Sequence, residues 1–475
     1  MLVREIAPSG PVAAGRRHWL GLAVLLCGSF VTVLDAMIVQ IAIPSIARGL
    51  HAGGAALELL IAGYAVGYGV LLVTGGRLGD IHGRKRVFLI GMAAFTVASV
   101  LCGIAPNAIA LVVARVVQGI TASLVLPQVL ASIRVGFNGD ERRRAFGIMG
   151  LVIGIAAASG QLIGGLLIGS DLWGLGWRLV FLVNLPVGIA AVGFGLGLLD
   201  ESRVPSAARL DLRGALLSAL GLGCLLAVFI GLRPLGLGAA ALFMALAVPI
   251  LALFAVHESR FEQTGHAPLL SIRLLRVPFF VTGAVLAFLV YASMAPYYFS
   301  FAVFLQFGTG RTPLEAAYVL TPISAAFAIV SLVAPRLTHV HGRKVLHWGG
   351  LIYLAACIVL AVQLFSAQER PSILALMPAL LTIGAAQGFI LTPLVTAILG
   401  MLPETHAGMA AGVIATMQQL GVAFGVAIVG IILFGLHEAG GVLSPGAAAA
   451  GFGRAVLMEC AVVSVIALLL RRFSR

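Results

Sequence analysis

The chain has 475 residues and a net charge of +13, with 61% hydrophobic and only 10% charged residues. Its mean hydropathy is +1.11, and a soluble domain averages about 25% charged residues. That balance excludes a water-soluble enzyme and places the chain in a lipid bilayer. The basic excess does not point to nucleic acid, because the bases gather in short gaps between long apolar runs.

Fourteen such runs follow one another, at 19–43, 57–78, 87–105, 108–134, 145–169, 178–199, 214–232, 236–256, 278–305, 314–335, 345–366, 372–400, 407–435 and 452–470. Each is long enough for a helix rising about 1.5 Å per residue to cross a hydrocarbon core of about 30 Å. Continuous apolarity predicts helices, since barrel strands would alternate over about ten residues. Arg4, Arg16 and Arg17 precede the first run, which is too long for a signal-peptide core and lacks a small-residue cleavage site. It is expected to remain as the first membrane helix.

Asp35 lies about 24 Å along that helix. A carboxylate at such depth costs about 2.5–3.5 kcal/mol unless it faces water, pairs or binds a proton. Asp35 is therefore expected to bind a proton or cation; the alternative is a structural aspartate bonded to backbone or to Thr32. In the second run, Glu58 at the outer end reads as an interfacial carboxylate favoured by the helix dipole. The gap that follows is GGRLGDIHGRK, 75–85. Gly83 permits a tight turn, Arg84 and Lys85 sit at the headgroups, and Asp80 can accept bonds from Arg84 or a neighbouring helix N-terminus.

Arg115, in the fourth run, is the one base inside an apolar stretch, and it cannot give up its proton. It is expected to serve as a fixed charge sharing hydrogen bonds with Gln118 one turn on, or else to snorkel or clamp carbonyls. Gly160, Gly164 and Gly165 in the fifth run and Gly421 and Gly425 in the thirteenth have the spacing that lets helices approach closely. Tyr64, Tyr68, Tyr291, Gln118, Gln306 and Gln387, with Tyr297 and Tyr298, are candidates to line a cavity for flat, partly apolar molecules. Glu315 resembles Glu58 in position, and Glu459 is expected to pair with Arg454 or with water. The five cysteines fall in separate runs without metal-ligand spacing and read as small core residues. With no His-Glu-x-x-His and no phosphate-binding loop, neither enzyme activity nor a metal or cofactor is expected, and energy must come from an ion gradient.

The tetrapeptide HGRK at 82–85 returns at 341–344. The alignment pairs Arg77 with Arg336 and Gly83 with Gly342, and sets His339 against Asp80. RVVQG, 115–119, is echoed by GAAQG, 384–388, each followed by a proline. The chain is thus expected to be two six-helix copies, with the excess spacing taken up by two inserted helices. The expected boundaries are 1–199, 200–277 and 278–475. Counting loops alternately puts most of the 30 basic residues on the side of the termini, which the positive-inside bias makes cytoplasmic. Parallel halves are a plan of secondary transporters.

Several stretches carry a family resemblance. GRLGDIHGRK sets Gly76, Asp80, Gly83, Arg84 and Lys85 in register with a loop signature, although Ile81 stands where a base is usual. LDAMIVQIAIP (34–44), RVVQG, FLQFGTGRTPLEAAYVLTP (304–322) and MQQLGVAFGVAIVG (417–430) add to it. On these the chain resembles the major facilitator superfamily, and within it the fourteen-helix drug/proton antiporters. The resemblance implies an all-α integral membrane protein: two six-helix bundles plus two inserted helices. It implies proton-coupled efflux of amphipathic or cationic drugs from the inner membrane by alternating access, by a monomer whose partners are a small organic substrate, protons and lipid. It further implies that Arg115 takes part in proton coupling and that Asp80 helps hold the cytoplasmic side closed. One departure is Gln161, which follows Gly160 where such antiporters carry proline; it restores a backbone donor that proline would remove. A narrow-specificity metabolite or siderophore transporter, not proton-coupled, therefore stays open.

Overall fold

The computed structural model describes residues 15–203, 211–264, 269, 272–366, 372–401, 404–435 and 444–473, with the side chains at 226, 229–235, 272–273 and 404–409 left aside. Arg4, Arg209, Arg370 and Arg475 of the charge pattern lie outside the described residues, as do the side chains of Arg233 and Arg273.

The described residues form α1 Arg16–Leu50, α2 Gly54–His82, α3 Arg84–Gly103, α4 Ala108–Ala122, α5 Leu126–Gly136, α6 Gly139–Ser170, a short α7 Leu179–Leu182, and α8 Asn184–Leu198. Then come α9 Leu212–Gln263, α10 Pro278–Val303, α11 Pro313–His341, α12 Lys344–Ser366, α13 Ile373–Gly400, α14 Glu404–Phe434 and α15 Pro445–Phe473. Among the described residues, thirteen helical stretches are long and apolar enough to span a bilayer, α4 with α5 and α7 with α8 each counting as one. The fourteenth expected run is the start of α9, which contributes the shorter apolar helix Leu212–Leu225. Gly236, at φ 78°, splits α9 where the sequence predicts a loop between the two inserted helices.

Local chemistry explains the breaks. Asn107 caps α4 by accepting the Ala110 N–H at 2.9 Å. Pro127 lies in the first turn of α5, where a missing backbone N–H is harmless. Thr312 and Glu315 form a reciprocal capping box at the start of α11, so Glu315 is a helix-terminal carboxylate as its position suggests.

Helices α1 to α8 pack among themselves, chiefly through α1 with α6, α2 with α4 and α3 with α8; α10 to α15 do so through α10 with α14, α11 with α13 and α12 with α15. The two groups meet through α2 against α14 and α6 against α11, and α9 lies on α2 and α14. Their contact is lopsided. Away from the basic turns, Ile43, Ile46 and Leu57 share one core with Phe299, Val303, Phe307, Val429 and Leu433 from the other group. At the end of the basic turns, the core of Leu22, Phe88, Val129, Ile133, Phe137 and Leu199 draws on α1 to α8 and the ends beside them alone. Along α6 the same gradient appears: a Cβ on Gly165 would strike Ala317 of α11 at 2.6 Å, whereas around Gly147 and Gly150 there is open space. The two groups are clamped together on one side and parted on the other.

Candidate transport site

The centre of the first group is a polar cluster wholly removed from solvent. Asp35 on α1 is 0% exposed and Arg115 on α4 is 1% exposed. Arg115 Nη1 donates to Asp35 Oδ2 at 2.5 Å and to Gln118 Oε1 at 2.7 Å, and its Nε donates to the Leu60 carbonyl at 3.1 Å. The other carboxylate oxygen, Oδ1, accepts from Gln118 Nε2 at 2.9 Å and from Asn184 Nδ2 at 2.8 Å. Ser99 Oγ accepts from Gln118 Nε2 at 2.8 Å. The Tyr64 ring lies 4.3 Å from the guanidinium carbon, a cation–π contact within a desolvated site.

The helices can come this close because α4 carries a glycine where it crosses α2. A Cβ on Gly119 would sit 2.2 Å from the Tyr64 carbonyl oxygen. The arrangement is a charge-balanced pair with every Asp35 oxygen bonded, which is what burial of two ions demands. Arg115 stays buried rather than snorkelling, and it both pairs with Asp35 and clamps the Leu60 carbonyl. Thr32 bonds the backbone carbonyls of Gly28 and Ser29 rather than Asp35.

The other candidates separate. Tyr64 and Tyr68 stack with centroids 6.1 Å apart, and Tyr68 lies within electrostatic range of Tyr291 on α10, across the junction of the two groups. Gln118 is committed to the Asp35 cluster rather than to that junction. Gln306 is buried at the clamped side, where its Nε2 donates to the Ile41 carbonyl at 2.9 Å and so ties α1 to the end of α10. Gln387 lies deep in the second group, donating to the Tyr353 hydroxyl at 3.0 Å. Tyr297 and Tyr298 are both buried, in edge-on contact with each other.

The loop signature gives Asp80 one of its two expected partners and brings in an acid from outside the motif. Asp80 does pair with Arg84, at 2.9 Å. The acid that caps the N-terminus of α3 is Glu201, just beyond α8: its two oxygens accept the backbone N–H of Lys85 at 3.1 Å and of Arg86 at 3.3 Å. Lys85 Nζ reaches the Leu196 carbonyl at 2.8 Å. Gly83 has φ 101°, a torsion that favours glycine, and a Cβ there would meet the Glu201 carboxylate at 2.4 Å and have to displace it, while Gly76 has only ordinary contacts. In the second copy, Gly342 keeps a positive φ of 63° but faces open space.

The paired glycines divide their work. Gly160 and Gly164 take in Met37, Ile38 and Ile41 of α1, Gly165 takes in α11, and Gly421 and Gly425 sit against the Phe288 and Ala292 carbonyls of α10. Gln161 accepts a bond from Ser324 Oγ at 3.1 Å, a side-chain link between α6 and α11 where a proline could make none. Two further carboxylates are buried. Glu58, near the start of α2, is 2% exposed and lies against α14. Glu459 makes no pair with Arg454, whose Nε turns back to the Ala450 carbonyl; it bonds Tyr353 instead.

Sequence reasoning missed Asn184, Ser99 and Glu201. Asn184 had a signal, being the one amide inside an otherwise apolar sixth run. Ser99 had none, since serine in membrane helices commonly bonds its own backbone.

Residues 25–426 match the family model of the Major Facilitator Superfamily. The chain belongs to this superfamily. Among relatives, a probable actinorhodin transporter of Streptomyces coelicolor is 35% identical over 433 residues, covering 90% of this chain and 74% of that protein. A tetracenomycin C resistance and export protein of Streptomyces glaucescens is 32% identical, with 88% and 76% covered. A multidrug resistance protein of Mycobacterium tuberculosis is also 32% identical, with 88% and 76% covered. The superfamily fold is shared with the crystal structure of a bacterial homolog of the human lysosomal transporter Spinster in an inward-facing, occupied conformation. That structure matches at a TM-score of 0.70 with 16% identity, covering 96% of both chains. As a member of the superfamily, the chain is a multi-pass membrane protein that handles small molecules.

Proposed function

We propose that the protein is a proton-coupled exporter of amphipathic or cationic organic compounds in the inner membrane, with both termini cytoplasmic and no cofactor. The units that rock would be residues 1–199 and 278–475, with 200–277 riding on α2 and α14. The observation that carries the coupling is the Asp35–Arg115 pair: a fully desolvated acid held by a fixed cation, in the group whose partner α10 is tied to α1 by Gln306. Protonating the acid would release the cation to bond elsewhere, and such an exchange of partners is what a coupled transporter needs.

The clamped side lies opposite the basic turns, so with those turns cytoplasmic the chain is open inward. Tyr64, Tyr68 and Tyr291 would supply an aromatic lining where the two groups separate, and Asp80 with the Gly83–Lys85 turn would form the cytoplasmic latch. The names of the relatives, which export or confer resistance to antibiotics, support outward transport. A narrow-specificity exporter is the second reading, favoured by relatives named for single antibiotics.

A susceptibility panel in a pump-deficient host, expressing the wild type and Asp35→Asn, tests this. Broad protection lost in the variant supports multidrug export; protection against one compound class supports the second reading; none against any compound overturns efflux.

A further inference from the structure

The second group holds a polar cluster on the same four crossings as the first, with its acid on the sixth crossing instead of the first and no cation beside it. Asp35, Ser99, Gln118 and Asn184 stand on the first, third, fourth and sixth crossings of the first group. Ser293, Tyr353, Gln387 and Glu459 stand on α10, α12, α13 and α15, the corresponding crossings of the second. The Gln-Gly echo in the sequence aligns Gln118 with Gln387, so the two glutamines anchor the same register. In that register the partner of Arg115 is Gly384, and a Cβ there would already strike the Ile323 carbonyl at 2.2 Å. The second cluster keeps an acid and has lost the cation.

Glu459 is 3% exposed and about halfway along α15. Tyr353 donates its hydroxyl to Glu459 Oε1 at 2.5 Å, accepts from Gln387 Nε2 at 3.0 Å and lies 3.1 Å from Ser293 Oγ. The groups facing the carboxyl are Ser293, Tyr297 and Ser300 from α10, Tyr353 and Cys357 from α12, Val429 from α14 and Cys460 beside it. None of them is a base, and among the described residues no arginine, lysine or histidine lies within 4.0 Å of it. Tyr297 and Ser300 line a gap beside Glu459 too small to admit a water molecule, and the Tyr297 hydroxyl is buried without a bond partner.

We propose that Glu459 is a second proton-binding site, set in the second six-helix group and independent of Asp35. A carboxylate buried without a counter-cation costs several kcal/mol. A proton supplies the positive charge that Arg115 supplies in the first group, forming an O–H bond on the carboxyl and leaving no net charge in the cluster. Tyr353 and Gln387 hold the group in place.

Infrared difference spectroscopy of the full-length protein in phosphatidylcholine vesicles, between alkaline and acid pH, tests the site without any substrate. A carboxylic C=O band that appears on acidification should vanish in Glu459→Gln, persist in Asp35→Asn, and shift its midpoint in Tyr353→Phe. An unchanged band in Glu459→Gln overturns the proposal. If Glu459→Gln fails to insert, Tyr353→Phe decides, and an unmoved midpoint there overturns it. The transport arm rests on the efflux reading and uses ethidium. Glu459→Gln should lose efflux driven by a pH gradient while keeping ethidium counterflow at equal pH; loss of both together overturns the proposal as a structural effect. Wild-type vesicles that do not move ethidium count against the drug-efflux reading, while the infrared result still decides Glu459.

Discussion

Arg115 and Asp35, 80 residues apart in the chain, meet at 2.5 Å with neither side chain reachable by solvent. Neither residue could be buried alone. The pair therefore stabilises through mutual neutralisation, and each half is a liability without the other.

Removing one partner should reveal this. Asp35→Asn leaves a buried guanidinium and is expected to lower stability by about 3–5 kcal/mol while abolishing pH-driven efflux. The double variant Asp35→Asn/Arg115→Gln should recover much of the stability and none of the transport. Thermal unfolding in detergent, beside ethidium efflux from vesicles, checks both; a double variant less stable than either single one would refute the pairing argument.

Gln306 bridges the two groups at the clamped side through the Ile41 carbonyl. Gln306→Leu forfeits a net contribution of about 0.5–1.5 kcal/mol and so should raise the population open on that side by roughly 2- to 12-fold. Thiol labelling of a cysteine placed at Val303, which is buried in the shared core, should accelerate accordingly. No change in labelling rate would remove Gln306 from the closure.

Glu201 caps α3 and fills the space that Gly83 leaves. Glu201→Ala is expected to cost about 0.5–2 kcal/mol, the usual worth of a helix cap. Gly83→Ala, strained at φ 101° and in collision with Glu201, should cost more, and adding Glu201→Ala should relieve only the collision. Unfolding midpoints of the three variants measure this, and strict additivity would show that the two residues do not interact.

Gly425→Val would drive a side chain into the Ala292 carbonyl, already 2.1 Å from a modest Cβ. Overpacking of this kind costs about 1–3 kcal/mol or more. The expected outcome is a fall in monodisperse yield on size-exclusion chromatography, whereas Gly150→Val, facing open space, should leave the yield unchanged.

Much of the fold was legible because bilayers read length and apolarity directly. The breaks at Gly236 and around Gly83 fall where polar gaps and glycines announce them. The site was legible in part: Asp35 and Arg115 stand out because charge in an apolar run is rare. Asn184 and Ser99 did not, being neutral residues whose importance comes only from what lies opposite. Glu459 was assigned to Arg454 by nearness in sequence, yet Arg454 is exposed and the carboxyl turns inward to Tyr353.

Sequence alone determined that this chain spans a membrane many times, is internally repeated, and carries a few charged residues, Asp35 and Arg115 among them, inside its apolar runs, since each of these is a local property of composition and spacing. Tertiary structure decided which groups meet. It joined Asp35 to Arg115 across two helices, gave the capping of α3 to Glu201 rather than Asp80, and withdrew Gln306 and Gln387 into separate contacts. The physical reason is that a buried polar atom must find a partner, and helix packing, governed by where glycines allow close approach, settles which partner is within reach.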